Sequence, residues 1–551
     1  MRLPHVLLLL LLGLLASCAQ QVAPKGGPKD VTPPQIVGSE PANYSTRFNR
    51  QSIEIEFDEF VQLRNINQAL VVSPPLKKQP ETRLKGKRLI ISFEDTLRAN
   101  TTYIFNLGNG VQDITEGNPL DSNLFVFSTG DFLDSLTVSG RIRNAFDLTP
   151  PEAAWVMLYG NQEDSAPRTL RPAYLGKADK SGNFQVDFVK PGSFKVVALN
   201  DLNNNYLFDL EDEQFAFLDS AIVSDSLPKT ELLMFTEAPS QHYVTKAKPG
   251  SFGKLQVVFN KPTEAPTLRD LSGTLTGDWY LPELLTNGDT LVAWMPNGEG
   301  GDTLQLEAST NGTPIDTVDV VTLKRGQKPA GRGKSRAGEF KLTFKNNLRG
   351  KNVNPFKPLL LTASHPVKSF NAKRFVLKAD SVRQEVSITA QGTVERQLAL
   401  EHEWQDGKKY RLLVLPGAVE DIFGLKNDSL ELNFTASSKD DFGNFTLKVA
   451  PPPDAPQYVL QLQDKAGTTI ETHIVSEARE LRFTNLIPGS YGMKLIYDAN
   501  SNGKWDTGNY DEKRQPEKVL FYSGTVDIRA GWDVDLDWSF EDKDEERAGR
   551  K

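Results

Sequence analysis

One stretch of this chain is used twice, and that repetition limits the fold more than any other feature. Pro191-Gly192-Ser193-Phe194 leads into the apolar run Lys195-Val196-Val197-Ala198-Leu199 and then into Asn200-Asp201-Leu202-Asn203-Asn204-Asn205-Tyr206-Leu207-Phe208-Asp209. An offset of 297 residues, without a gap, carries it onto Pro488-Gly489-Ser490-Tyr491, Gly492-Met493-Lys494-Leu495-Ile496 and Tyr497-Asp498-Ala499-Asn500-Ser501-Asn502-Gly503-Lys504-Trp505-Asp506. In each copy a Pro-Gly turn starts a strand and an Asp-x-Asn-x-Asn loop ends it. A whole domain is therefore expected to recur.

At 551 residues the chain is too long for one core and suggests roughly four or five domains. Its formal charge of -8 gives no general attraction for a phosphate backbone, so no nucleic-acid partner is expected. The single cysteine, Cys18, excludes an intrachain disulfide and any cysteine-rich zinc or iron–sulfur set.

That cysteine closes an N-terminal pattern. Arg2 precedes the apolar run Val6 to Leu15, and Leu15-Ala16-Ser17-Cys18 follows. The run is short for a bilayer and its flanks fit a cleaved signal, here residues 1–17. The pattern resembles the bacterial lipoprotein signal, which implies lipidation of Cys18; a plain secretory signal with an incidental cysteine is the alternative. No aspartate follows Cys18, and the resemblance then implies an outer-membrane destination. Residues 18–30 form a polar tether, reaching up to roughly 40 Å if extended.

Beyond the tether, strand signals dominate. Ile53, Ile55 and Phe57 alternate with Glu54 and Glu56, the period of a half-buried strand. Asp30-Val31-Thr32-Pro33-Pro34, Ile53 to Asp58, Tyr103-Ile104-Phe105 with Asp113, and Phe125 to Thr129 together resemble the bacterial Ig-like domain first known from S-layer proteins, placed at residues 31–130. The repeat copies, at 136–236 and 440–541, are similar in strand order to transthyretin-like, carboxypeptidase-regulatory-like sandwiches. A degenerate Ig-like domain is expected at 246–323 and another at 339–437, where the spacing of Tyr410, Gly417 and Asp421 echoes Tyr103, Gly110 and Asp113. A basic, Gly-rich segment at 324–338 separates these two, with anionic lipid or sugar contact as its sharper alternative, and residues 542–551 form a charged tail. The fold expected is all-β: tandem β-sandwiches, Ig-like and transthyretin-like, on a lipid anchor.

The Asp/Asn loops are the best candidates for chemistry. Asp498, Asn500, Asn502 and Asp506 stand at positions one, three, five and nine, with Gly503 permitting a sharp turn. Such an oxygen set suits Ca²⁺, at affinities on the order of 10⁻⁴ to 10⁻³ M in extracellular modules. Asn509 at position twelve and the flanking strand separate it from an EF-hand. Asp201, Asn203, Asn205, Asp209 and Asp212 repeat the pattern with Tyr206 in place of glycine. The alternative is an Asx-rich turn whose side chains bond their own backbone. Trp505 is the tryptophan suspected of exposure and a weak sugar-binding candidate, whereas Trp155, Trp294 and Trp538 lie in strand runs and read as core. No nucleophile–histidine motif and no phosphate loop is present, and no catalytic residue is assigned.

The arrangement resembles the Ig-like-domain lipoproteins of Bacteroidetes-type bacteria. It implies a non-enzymatic scaffold or binding subunit of an outer-membrane protein complex, with integral outer-membrane proteins as partners. Glycan capture for polysaccharide uptake or adhesion is the alternative.

Overall fold

The computed structural model describes residues 30–121, 123–224, 230–297, 301–325 and 340–540. Cys18, the signal, the tether up to residue 29, the basic segment beyond Arg325 and the charged tail lie outside the described residues. The expected all-β class is what forms. Strand follows strand, and among the described residues helix is confined to the short turns Ile66–Ala69, Ala166–Thr169, Ala372–Arg374 and Lys439–Asp441.

The chain divides into two compact units, one comprising Met1–Ile142, Glu152–Phe208 and Leu218–Leu232, the other Arg143–Pro151, Asp209–Phe217 and Leu233–Lys551. The first unit opens with a sandwich. Ile36–Glu40, Ser52–Phe57, Arg88–Ser92 and Glu81–Lys85 form one sheet in that order; Val71–Ser73, Thr102–Asn106 and Leu124–Ser128 form the other. Alternation decides which side of Ser52–Phe57 is buried: Ile53, Ile55 and Phe57 face the core, while Glu54 and Glu56 stay outside, where Arg88 pairs with both. Phenylalanines fill the core, Phe48 and Phe127 having ring centroids 3.8 Å apart. The rest of the unit holds the first repeat's central strands, with Trp155–Tyr159 between Tyr174–Lys177 and Ser193–Leu199. A buried bond from the Leu175 N–H to Ser73 Oγ, 2.9 Å, ties this sheet to the opening sandwich.

Among the described residues the second unit carries three further sandwich cores. In the first, the sheet Val244–Ser251, Lys254–Phe259, Thr290–Trp294, Leu281–Leu284 faces Pro266–Asp270, Thr303–Thr310 and Thr313–Val321. In the next, Phe344–Asn346, Leu359–Ala363, Gln397–Glu401 and Ser387–Gln391 oppose a five-stranded sheet built around Leu430–Ala436, Lys409–Val414 and Phe375–Ala379. Tyr410 here and Tyr103 in the opening sandwich do the same job: each hydroxyl accepts the N–H of the residue five positions upstream, Gln405 at 3.0 Å and Arg98 at 2.9 Å. In the last, Gly443–Ala450 lies between Arg479–Leu486 and a parallel partner, Asp533–Ser539, opposite a sheet centred on Gln457–Gln463 and Gly489–Asp498.

Within this unit two sandwiches are clamped at a half-buried junction. Trp294 is fully buried and donates its indole N–H to Glu283 at 2.8 Å. Arg396, from the next sandwich, reaches both oxygens of the same carboxylate at 2.8 Å and lies over the Trp294 ring. Removing the carboxylate leaves the indole N–H of the buried Trp294 without its acceptor and Arg396 without its counter-charge. Glu283→Ala is expected to cost about 2–4 kcal/mol, seen as lost amide-exchange protection across Thr290–Trp294; unchanged protection there would show that the carboxylate is dispensable.

Candidate functional site

The two Asp/Asn loops fold alike to the level of single hydrogen bonds. Asp498, fully buried, accepts the N–H of Asn502 (3.0 Å) on Oδ1 and of Gly503 (2.7 Å) on Oδ2. Asp201 accepts the corresponding N–H groups of Asn205 (3.2 Å) and Tyr206 (2.8 Å). Asn500 and Asn502 receive the N–H groups two residues on, as Asn203 and Asn205 do in the first copy. Positive φ falls at Ser501 and Gly503 in one loop and at the equivalent Asn204 and Tyr206 in the other, with φ 61° and 77° against 61° and 62°. Tyr206 thus adopts a conformation that suits glycine, at a cost of order 1–3 kcal/mol that the surrounding loop must hold.

In the second loop Asp506 accepts the side-chain amides of Asn500 and Asn502, and the half-buried Glu517 accepts the N–H groups of Ala499 and Asp506. Burial raises the Glu517 carboxyl pKa above the usual carboxylate range, and Asp506 and Asp498 nearby push in the same direction. Asp209 and Asp212 belong to the second compact unit, where the Asp209 N–H is taken by the buried Glu213 at 3.1 Å. Among the described residues no three His, Cys, Asp or Glu side chains are grouped to hold a metal ion. As built, the loops satisfy themselves. Asp498→Ala removes the shared acceptor of the Asn502 and Gly503 amides and of the Gln457 side chain and is expected to destabilise the C-terminal repeat by about 1–2 kcal/mol in chemical denaturation, with a loss below about 0.5 kcal/mol contradicting the bracing role.

Trp505 is half-buried: its indole N–H donates to the Glu517 carbonyl at 2.9 Å and its ring meets Phe146 edge-on at 5.0 Å. Phe146 and Leu148 come from the segment Arg143–Pro151, and Leu148 seals Val459, Ile496 and Val519. Beside them stands a residue that sequence reasoning passed over. Lys494 is 1% exposed, with Nζ 3.0 Å from the Phe146 ring centroid. Burial pulls its pKa from the ordinary 10.5 to about 7, the Asp147 carboxylate only partly opposing this. The signal was present, since Lys494 occupies the position of Val197 in the other copy. Between about pH 7 and 10.5 the unfolded chain binds more protons at this site than the folded one. The lysine therefore imposes a stability penalty that shrinks as pH rises across that window, so that stability rises by up to about 1.4 kcal/mol per unit. Lys494→Met is expected to stabilise the repeat at pH 7 and to flatten that rise, measured by denaturation at several pH values; an unchanged slope would assign the rise to other groups.

The buried pair His365 Nδ1–Asp421, 2.7 Å, is the nearest thing to an acid–base dyad, and it was also missed. Asp421 additionally accepts the N–H groups of Phe423 and Leu425, and Trp294, Phe340 and Phe423 close around the imidazole. It is a structural brace.

Trp155 departs from its expected place in the core. It is half-buried on the wall of a cleft of about 590 Å³ within the first unit. Trp294 and Trp538 are buried as expected. Trp155 pairs with Leu199 as Val459 pairs with Ile496 in the second copy, so the wall corresponds to the position that Leu148 seals there. Tyr206 meets the Trp155 ring edge-on at 5.6 Å, and the Lys177 ammonium sits 5.2 Å from its centroid. Burial raises the Tyr206 phenol pKa, with the Asp201 charge adding to it and Arg171 opposing. The far wall is the loop after Val71–Ser73, carrying Lys77 and Lys78, which Arg171 holds by donating to the Leu76 carbonyl. Lys78 is paired with Glu94 at 2.8 Å. No ion pair engages Lys77, Lys177 or Arg171 among the described residues.

With fold and cavities in view, the relatives can be placed. The chain is an all-β protein of tandem sandwiches, and residues 30–129 match the bacterial Ig-like domain family. No curated protein matches the sequence. Among solved structures, the S-layer protein rSbsC is similar at 11% identity over 86% of this chain and 65% of its own, with a TM-score of 0.15, so this chain spans about 65% of that protein's length. BcpA, the major pilin subunit of Bacillus cereus, is similar at 10% identity over 74% of this chain and 99% of its own, with a TM-score of 0.15. SGBP-B of a Bacteroides ovatus mixed-linkage glucan utilization locus, solved with a mixed-linkage heptasaccharide, is similar at 10% identity over 71% and 93%, with a TM-score of 0.18. At such scores the fold class rests on the sheets themselves and on the Ig-like match.

Proposed function

We propose that this chain is a non-enzymatic, lipid-tethered binding protein of the bacterial outer membrane, whose sandwiches hold a partner rather than transform a substrate. The observation that supports this most is where the buried carboxylates go. Asp113, Asp201, Asp421 and Asp498 all serve the backbone amides of loops. Such commitments fix surfaces and leave little free acid–base capacity. The partner class proposed is an integral outer-membrane protein complex, with Cys18 as the lipid attachment. This role needs no Ca²⁺ at the Asp/Asn loops. Among the described residues no helix is long and apolar enough to cross a membrane.

Cys18→Ser is expected to move the protein from the membrane to the soluble fraction of fractionated cells. Affinity capture of the wild-type chain from detergent-solubilised outer membranes is expected to recover a stoichiometric integral partner. Retention of the serine variant in membranes would remove the lipid tether, and reproducible recovery of the chain alone would remove the partner. A second reading, saccharide capture, is favoured by the cleft at Trp155, whose aromatic, amide and cationic lining is the chemistry a sugar requires.

A further inference from the structure

We infer that the cleft between Trp155 and Lys77 is a binding site for an acidic saccharide, one whose pyranose rings carry carboxylates. The inference rests on the saccharide-capture reading and gives it a place and a ligand class.

Three independent features of the lining converge. The first is an aromatic corner: Trp155 is half-buried at the wall, and Tyr206 meets it edge-on with a ring held by a left-handed backbone. An aromatic face takes the C–H side of a pyranose, while the phenol hydroxyl, without a hydrogen bond among the described residues, can serve a sugar hydroxyl. The second is a set of carboxamides with no side-chain partner among the described residues: Asn67, Gln68, Asn200 and Asn204 all line the same cleft. Each offers both a donor and an acceptor, the pairing that a ring of hydroxyls needs. The third is charge. Among the described residues no carboxylate pairs with the side-chain cations of Lys77, Arg171 and Lys177, all of which line the cleft, and Lys78 adds a cation shared with Glu94. The single acid in the lining, Asp201, is 8% exposed and committed to the amides of Asn205 and Tyr206. A cleft lined by one sign of charge draws the opposite charge, and the guanidinium donors of Arg171 left over from Leu76 suit a carboxylate.

The second repeat supplies an internal comparison. Its loop also borders a cavity, about 550 Å³, yet Asp454, Asp506 and Glu517 line it alongside Arg514 and Lys518. The position equivalent to Trp155 is Val459, sealed beneath Leu148. The two copies kept the loop and diverged in what the neighbouring surface offers.

The test is calorimetric titration of the full chain with oligogalacturonate, a neutral oligoglucan of matched length, and inorganic sulfate. Expected are binding of the uronate oligomer on the order of 10⁻⁴ M, weakening as salt is raised, and little response to the other two. Trp155→Ala and the charge-reversing pair Lys77→Glu and Lys177→Glu are each expected to weaken it about tenfold. The two lysines are exposed, so those variants keep the fold, as matching thermal melts would verify. Equal binding of the neutral oligomer would overturn the acidic preference, and equal binding of sulfate would reduce the site to an anion site. Uronate binding undiminished in all variants would overturn the location while leaving saccharide capture standing. Silence toward both oligosaccharides would overturn the site and that reading together.

Discussion

Sandwiches of short strands need many connecting loops, and every loop brings backbone N–H groups that must find acceptors. Here aspartate carboxylates meet that demand in domain after domain. Asp113 accepts the amides of Glu116, Gly117 and Asn118; Asp421 accepts those of Phe423 and Leu425. Asp179 and Asp464 close hairpin turns in the same way, and Asp270 holds Ser272 and Leu275. Ionised carboxylates make stronger bonds to N–H than neutral acceptors do, so a single side chain can fix a loop of four or five residues. The sandwiches supply hydrophobic cores, and the aspartates fix the loops that connect their strands.

This device explains how a loop used twice can border two different surfaces. The Asp201 and Asp498 loops keep the same bonds and the same two left-handed positions. With the loop backbone fixed, the side chains around it are free to change. Glycine at 503 leaves that loop unobtrusive, whereas the tyrosine at 206 carries an aromatic ring on the same turn. Near the second loop Phe146, Leu148 and Trp505 form a packed junction around the buried Lys494. At the first, Trp155 borders an open cleft.

Much of the fold was legible because its signals are local. Alternation at Ile53, Ile55 and Phe57 gives both the strand and its buried face, and the 297-residue offset gives the duplicated loop. The same locality hid the cleft. Lys77, Trp155, Arg171 and Tyr206 stand on different elements, and only tertiary packing brings them together. Trp155 reads as core because a strand run does not say which residue lies at the sheet's margin. His365 and Asp421 lie 56 residues apart, and no spacing rule joins them. Lys494 was closer to legible: a lysine where the other copy has valine is a local anomaly in an apolar strand.

Amide exchange at four positions tests the aspartate bracing most directly. With a chelator present, the N–H groups of Asn205, Tyr206, Asn502 and Gly503 should exchange slowly, and added Ca²⁺ should leave their rates unchanged, because carboxylates hold them without an ion. Fast exchange in chelator, with protection appearing only when Ca²⁺ is supplied, would show that the loops are organised by metal and not by aspartate.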